Sequence, residues 1–402
     1  VLESSLAPHL RRIATALLVL WVTSLAYLTL IPGPPTVSSR HGFLCLACGS
    51  LAGSDLIRNW ILFLPGGFLA TLVLGRWRAV ALGVGLTTLI ELAQLGIPRR
   101  DPALQDLLLN SIGALSGAVL ASRGLGRWAR TATAFGAAIA WAAPLILLVP
   151  KTTPYDLYGQ WTPSFRRTAR YPGRILDASV GGLFVPSRRV VEKAPLDSAV
   201  LERHPIRLLV EVGPAPEARA PIFQIVDGLQ NGILELHGLG PDLVLRGWNP
   251  ARILKLDQPD TRWAGAMGGV GAGDTVTIVV DRGRESVCMS VEGRERCDLA
   301  PSLADGWGFL MNLEGPPLRL RRMMSVFWAV GLGGLIGLVA RSWRQALAFA
   351  TALAVVGYAA TLISPDVRPS LAHAGVLVLG ALIGALLQRP VVWLWRELRP
   401  TS

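Results

Sequence analysis

The chain has 402 residues, 51% of them hydrophobic and 16% charged, with a formal net charge of +12 and a pI near 10.5. So apolar a composition excludes a disordered chain, and the basic surplus reads as affinity for nucleic acid only if it is clustered. It is not: residues 150–322 carry 22 basic against 20 acidic residues, the remainder carries 17 against 7, and that surplus sits in short loops, so nucleic acid is no partner.

Eight apolar runs of about 16 to 19 residues predict membrane-spanning helices: Ile13–Ile31, Asn59–Gly75, Ala79–Ile97, Leu107–Ser122, Ala132–Val149, Met324–Ala340, Ala346–Ile363 and Leu371–Leu387. The first follows Arg11-Arg12, lacks a small-residue cleavage site and ends in Ile-Pro-Gly-Pro-Pro, so it is expected to stay as an anchor. With the N-terminus in the cytoplasm, twelve loop arginines lie inside (among them Arg76, Arg78, Arg127, Arg341 and Arg389) and five outside (Arg40, Arg58, Arg99, Arg100, Arg368). Trp77, Trp128, Trp343 and Trp395 each stand beside an inside arginine, as interfacial anchors do. Both termini are then cytoplasmic in a bacterial inner membrane, and residues 151–322 are extracytoplasmic.

Between the fifth and sixth runs the pattern changes. Ile206–Val212, Ile222–Val226, Leu234–His237, Leu243–Arg246, Thr275–Val280 and Ser286–Val291 are short and rich in Val, Ile and Leu, and Gly, Pro, Asp and Asn separate them. They predict an antiparallel β-sandwich. The fold class is thus an α-helical polytopic membrane bundle with an inserted all-β sandwich, divided as 1–150, 151–322 and 323–402. Cys288 and Cys297 flank Val-Glu-Gly-Arg, a hairpin turn, and are expected to form a disulfide across it. Cys45-Leu-Ala-Cys48 fits a disulfide, a thiol pair or half of a metal site. No metal and no cofactor is expected, because no His/Cys partner except His41 lies near that pair.

Chemistry concentrates on two neighbouring runs. Glu91 and Gln94 stand one helical turn apart near the end of the third run, Asp106 and Asn110 one turn apart near the start of the fourth, with Arg99 and Arg100 in the loop between. A carboxylate or amide in hydrocarbon costs several kcal/mol unless it is paired. With Asn59 at the head of the second run, these seven residues form a candidate outer-leaflet cluster. They fit a satisfied helix-to-helix network, or a pocket where arginines meet phosphate while carboxylates bond sugar hydroxyls. Trp248, Trp263 and Trp307 are candidates for sugar stacking or for sandwich core.

Asn59-Trp-Ile-Leu-Phe63-Leu-Pro65-Gly66-Gly67, Ile90-Glu91-Leu-Ala-Gln94, Arg99/Arg100 and Asp106-Leu-Leu-Leu-Asn110-Ser-Ile-Gly113 resemble the VanZ-like family over residues 10–150. That family is named for a teicoplanin-resistance protein, so the resemblance implies the cell envelope and a link to glycopeptide antibiotic resistance more than a reaction. Arg262-Trp263, Gly273–Asp281 and Val291-Glu292-Gly293 resemble a laminin-G/concanavalin-like jelly roll, which implies carbohydrate binding. The expected partners are membrane lipids and an envelope glycan or lipid-linked saccharide, bound without catalysis. The alternatives are an enzyme using Glu91 or Asp106 as general base, a transporter, and a structural protein.

Pro369–Gly384 aligns with Pro102–Gly117 at an offset of 267 with 6 of 16 positions identical, and Gly333-Gly334 lies at the same offset from Gly66-Gly67. Helices 6–8 are therefore expected to be a degenerate parallel copy of helices 2–4. Val326, Tyr358, Thr361, His373 and Leu377 then stand opposite Asn59, Glu91, Gln94, Asp106 and Asn110.

Overall fold

The computed structural model describes residues 3–31, 44, 46, 49, 51–98, 100, 102–123, 126–149, 156–163, 169–187, 194–283, 286–311 and 318–398. Arg99, Cys45 and Cys48 lie outside these, as does the side chain of Trp395. Five helices come first: α1 (Glu3–Leu30), α2 (Ala52–Leu74), α3 (Arg76–Gln94), α4 (Leu104–Arg123) and α5 (Arg127–Leu147). The extramembrane segment holds β1 (Tyr158–Trp161), β2 (Arg174–Val180), β3 (Leu183–Phe184), α6 (Ala194–Leu201), β4 (Ile206–Glu211), β5 (Ala220–Val226), β6 (Gly232–Leu239), β7 (Asp242–Gly247), α7 (Pro250–Ile253), β8 (Thr261–Trp263), β9 (Thr275–Asp281), β10 (Cys288–Val291) and β11 (Arg294–Arg296). A 3-10 helix, Leu303–Phe309, leads to α8 (Leu318–Val339), α9 (Trp343–Thr361) and α10 (Leu371–Leu398).

Among the described residues, six helices (α1, α2, α4, α5, α8 and α10) are long and apolar enough to cross a membrane. Most begin several residues before the apolar runs, because hydropathy marks only the part at hydrocarbon depth while the hydrogen-bonded helix continues through the interface. Their outward faces are large apolar side chains such as Phe135, Ile146, Phe327, Leu379 and Leu386, which suits contact with lipid. Arg76 lies over the Trp77 ring, Arg127 over Trp128 and Arg344 over Trp343, so each cation is held at the helix end where its neighbour anchors.

The α2–α4 contact is as close as backbones allow. A Cβ on Gly67 would meet the Ala114 carbonyl oxygen at 2.1 Å, one on Gly113 the Trp60 oxygen at 2.4 Å, and one on Gly117 the Leu64 oxygen at 2.1 Å. The same contacts recur between α8 and α10. A Cβ on Gly337 would meet Ala381 O at 2.1 Å, one on Gly380 Val330 O at 2.5 Å, and one on Gly384 Gly334 O at 2.2 Å. These pairs correspond at an offset of 267 on α10 but 270 on α8, so Gly337 rather than Gly334 takes the place of Gly67, and Ala329 rather than Val326 that of Asn59. An ungapped alignment misses this because α8 ends earlier and the link to α9 differs. On α9 the buried positions Ala346, Ala350, Ala354, Gly357 and Thr361 match Ala79, Gly83, Thr87, Ile90 and Gln94 of α3 at 267.

The eleven strands form two antiparallel sheets, β1-β5-β6-β7-β8 and β11-β10-β9-β4-β2-β3, around a single apolar core. β4 and β9 alternate buried and open positions, as half-covered strands do, whereas every residue of β5 and β6 is buried. The outer face of the first sheet is thus covered, and Gln224, Glu235 and Arg246 stand in register along it. Cys288 and Cys297 are disulfide-bonded at the β10–β11 hairpin, whose turn residues Glu292 and Gly293 both have positive φ.

This segment is seated on one end of the helices. Ser54 at the start of α2 donates from its hydroxyl to Phe309 O at 2.7 Å and accepts from Asp257 N at 2.6 Å. Arg203 pairs with Asp366 between α9 and α10, and Arg368 N donates to Pro301 O at 3.0 Å. The α3–α4 loop lies at the same end, because α2 and α4 begin there.

Gly67→Val and Gly337→Val should each lower stability by about 2 kcal/mol or more, since the facing group is a backbone carbonyl that cannot move aside. Gly136→Ala, with nothing within 4 Å, should be neutral or stabilising by up to about 1 kcal/mol. Thermal melts of the detergent-purified protein distinguish them.

Candidate functional site

Two helix ends, those of α1 and α3, and two helix starts, those of α2 and α4, converge on the cluster. Glu91, in the last turn of α3, is 4% exposed and accepts from the Ala103 backbone N–H at 3.0 Å, which ties it to the start of α4. Asp106, in the first turn of α4, accepts from Asn59 Nδ2 of α2 at 2.6 Å. One turn further in, Asn110 Nδ2 donates to Thr87 Oγ1 at 2.9 Å, and Gln94 Nε2 donates to Thr29 O of α1 at 3.0 Å. Asp55 and Arg58, one turn apart on α2, form an ion pair at the rim.

Arg100 is turned away from the carboxylates. Its Nε donates to Ile31 O at 2.8 Å and its Nη2 to Leu28 O at 2.9 Å, capping the exposed carbonyls at the end of α1. Arg100 makes no ion pair with Glu91, because the C-terminus of α1 offers its guanidinium two acceptors within reach. Among the described residues neither Glu91 nor Asp106 makes a salt bridge. Two buried acceptors, Asn110 Oδ1 and Gln105 Oε1, have no hydrogen-bond partner among the described residues.

Thr87 and Gln105 belong to this constellation and escaped the sequence reading. A threonine in an apolar helix commonly bonds its own backbone, as the adjacent Thr88 does to Val84 O, and Gln105 reads as loop until α4 is seen to begin at Leu104. The periodicity of buried positions on α3, which runs Ala79, Gly83, Thr87, Ile90, Glu91 and Gln94, was the signal that could have found Thr87.

The corresponding place in the second helix set is occupied by the extramembrane segment. Ser302 Oγ lies 2.9 Å from His373 Nδ1, Asp305 accepts from Ser325 Oγ, and Trp307 Nε1 donates to that hydroxyl at 3.1 Å. Leu303 and Trp141 abut Gly357, leaving no room there for a Cβ.

The three candidate stacking tryptophans do not share a surface. Trp263 is buried in the sandwich core and Trp307 in the contact with α8, while Trp248 packs partly on the core with Arg252 over its ring at 5.2 Å. An exposed sugar platform of these three is ruled out, because two of them serve as apolar filling.

Beyond the sandwich core, Asp260 receives Arg246 Nε at 2.9 Å and Arg219 Nη2 at 2.8 Å, and Arg252 Nη1 bonds Glu235 at 2.7 Å. Burial would raise the Asp260 carboxyl, but Arg246 and Arg219 outweigh it and hold it down to about 2.

Residues 14–126 match the VanZ/LLP1 family model. This stretch is VanZ-like. The match spans α1 to α4 and so contains every member of the cluster, while the sandwich and α8–α10 lie outside it. The chain matches no curated protein and no solved structure. The VanZ-like unit together with the six apolar helices makes this a multipass membrane protein with a β domain.

Asp260, held below the unfolded-state value near 3.9, stabilises the fold above about pH 4 and loses that contribution as pH falls toward about 2, on the order of 2 kcal/mol. Thermal melts from pH 6 to pH 2 should show the loss, and Asp260→Asn should flatten that segment while costing about 3 kcal/mol at neutral pH, because Arg219 and Arg246 lose the carboxylate they share.

Proposed function

We propose that the VanZ-like unit binds, without catalysis, the hydroxyl-rich headgroup of an envelope glycan or lipid-linked sugar phosphate at the outer leaflet of a bacterial cytoplasmic membrane. The carrying observation is the pair Glu91 and Asp106, brought together on adjacent helices with no salt bridge to either among the described residues. Carboxylates and amides so placed are acceptors and donors suited to sugar hydroxyls, and the orphaned Asn110 Oδ1 and Gln105 Oε1 add unfilled acceptor capacity. Phosphate contact falls to the rim, where Arg58 and Arg100 stand.

Eight spanning helices belong to this reading. α3 and α9 are 19 residues long, about 28 Å, and each links helices whose neighbouring ends are on opposite sides of the bundle. Twelve loop arginines against five support cytoplasmic termini and an extracytoplasmic sandwich. The two sheets around one core support a laminin-G/concanavalin-like jelly roll able to hold glycan, and VanZ likeness suggests glycopeptide antibiotic resistance as the setting. The recurring glycine contacts support α8–α10 as a degenerate copy of α2–α4, with the copy's mouth filled by Ser302–Asp305 and the first mouth left to work.

The same carboxylates would also suit a general base acting on a glycan or phosphate, so the test separates the two. Glu91→Gln and Asp106→Asn should each weaken binding of a polyprenyl-phosphate saccharide about tenfold, about 1.4 kcal/mol, with thermal stability kept and no product formed by the wild type. Turnover would establish an enzyme, and loss of stability with binding unchanged would establish a structural network. Single cysteines placed in 169–283 should react with an impermeant thiol reagent on intact cells, and protection would reverse the orientation.

A further inference from the structure

A small cleft of about 60 Å³ lies where the sandwich meets the helix ends. Leu148 at the end of α5 and Asp366 between α9 and α10 line it from the membrane side. Arg246, Asn249, Gln258 and Arg282 line it from the sandwich side. It therefore sits at the level where spanning helices give way to the headgroup region.

Its charges do not balance. Arg246 is neutralised by Asp260 and lies 4.0 Å from Asp257, and Asp366 is taken by Arg203. Arg282 makes no ion pair among the described residues. Its Nη2 reaches only the Val200 carbonyl at 3.4 Å, and its Nε is buried without any hydrogen-bond partner. Burial and the nearby Arg203 push this guanidinium down to about 10, against the pull of Asp366, so it is still charged at neutral pH. A buried cation with an orphan donor is strongly disfavoured unless an anion completes it. Guanidinium presents its donors as a fork that matches phosphate oxygens, and Asn249 and Gln258 offer neutral amides beside it.

We propose that this cleft is an anion site in which Arg282 receives a phosphate group, carried by a membrane lipid headgroup or free in solution. The site is separate from the Glu91–Asp106 cluster and stands whether or not that cluster binds a glycan. The segment from Asn249 to Thr261 touches both the cleft and the head of α2, since Asp257 N donates to Ser54 while Asn249, Gln258 and Thr261 line the cleft.

The test uses the full chain in phosphatidylglycerol nanodiscs, in phosphatidylcholine nanodiscs, and in neutral detergent with and without inorganic phosphate. In neutral detergent without phosphate, Arg282→Gln should melt at or above the wild type, because it removes an uncompensated buried charge. Phosphatidylglycerol or inorganic phosphate should raise the wild-type melting temperature by about 4 °C or more and leave Arg282→Gln unmoved. A shift with inorganic phosphate in detergent names a soluble anion, and a shift with phosphatidylglycerol alone names the lipid headgroup. Arg282→Lys, which keeps the charge without the fork, should show a reduced shift and serves if the glutamine variant does not fold. Native mass spectrometry of the wild type should retain phosphatidylglycerol or phosphate, and less of it in Arg282→Lys. Equal shifts in wild type and variants, or no shift with either probe, would overturn the site.

Discussion

Hydrocarbon offers a buried polar group nothing to bond to, and the membrane part of this protein is organised around that deficit. Asn59, Gln94, Arg100 and Asn110 each donate to another protein group on a neighbouring helix or helix end, and those bonds link α1, α2, α3 and α4 at one end. They form because Gly67, Gly113 and Gly117 let α2 and α4 touch backbone to backbone, which brings Asn59 within 2.6 Å of Asp106. Small residues in the interface and polar residues at its mouth are two parts of one device.

The two helix sets use similar close packing and end differently. In the first set the mouth holds Glu91 and Asp106 with no salt bridge to either among the described residues. In the second, Ser325 and His373 meet Asp305 and Ser302 from the 3-10 helix, and Leu303 fills the space beside Gly357. A capping box explains the entry geometry: Ser302 and Asp305 satisfy each other's backbone N–H groups and so fix that helix over α8 and α10.

Charge in the sandwich follows the same accounting in a different medium. Gln224, Glu235 and Arg246 lie in one row on the face opposite the apolar core, and the connection carrying Asp257 and Asp260 covers them. Asp260 bonds two arginines, and Arg252 with His237 completes Glu235. Arg282, one residue past β9, is left with a carbonyl alone among the described residues.

Composition and period determined a good deal here. Apolar run length located the helices, arginine distribution predicted their direction, and β4, β5, β7 and β9 were legible from Val, Ile and Leu runs between turn residues. Glu91, Gln94, Asp106 and Asn110 stood out because a polar residue in an apolar run is conspicuous without any structure. β1, β2, β3 and β8 escaped because they are short or broken by polar residues, and β2 carries a register shift between Ile175 and Asp177. The three-residue shift between α2 and α8, the turning of Arg100 onto α1, the burial of Trp263 and Trp307, and the isolation of Arg282 were decided by tertiary structure alone. Each depends on which group, distant in the chain, comes within about 3 Å, and sequence spacing carries no record of that distance.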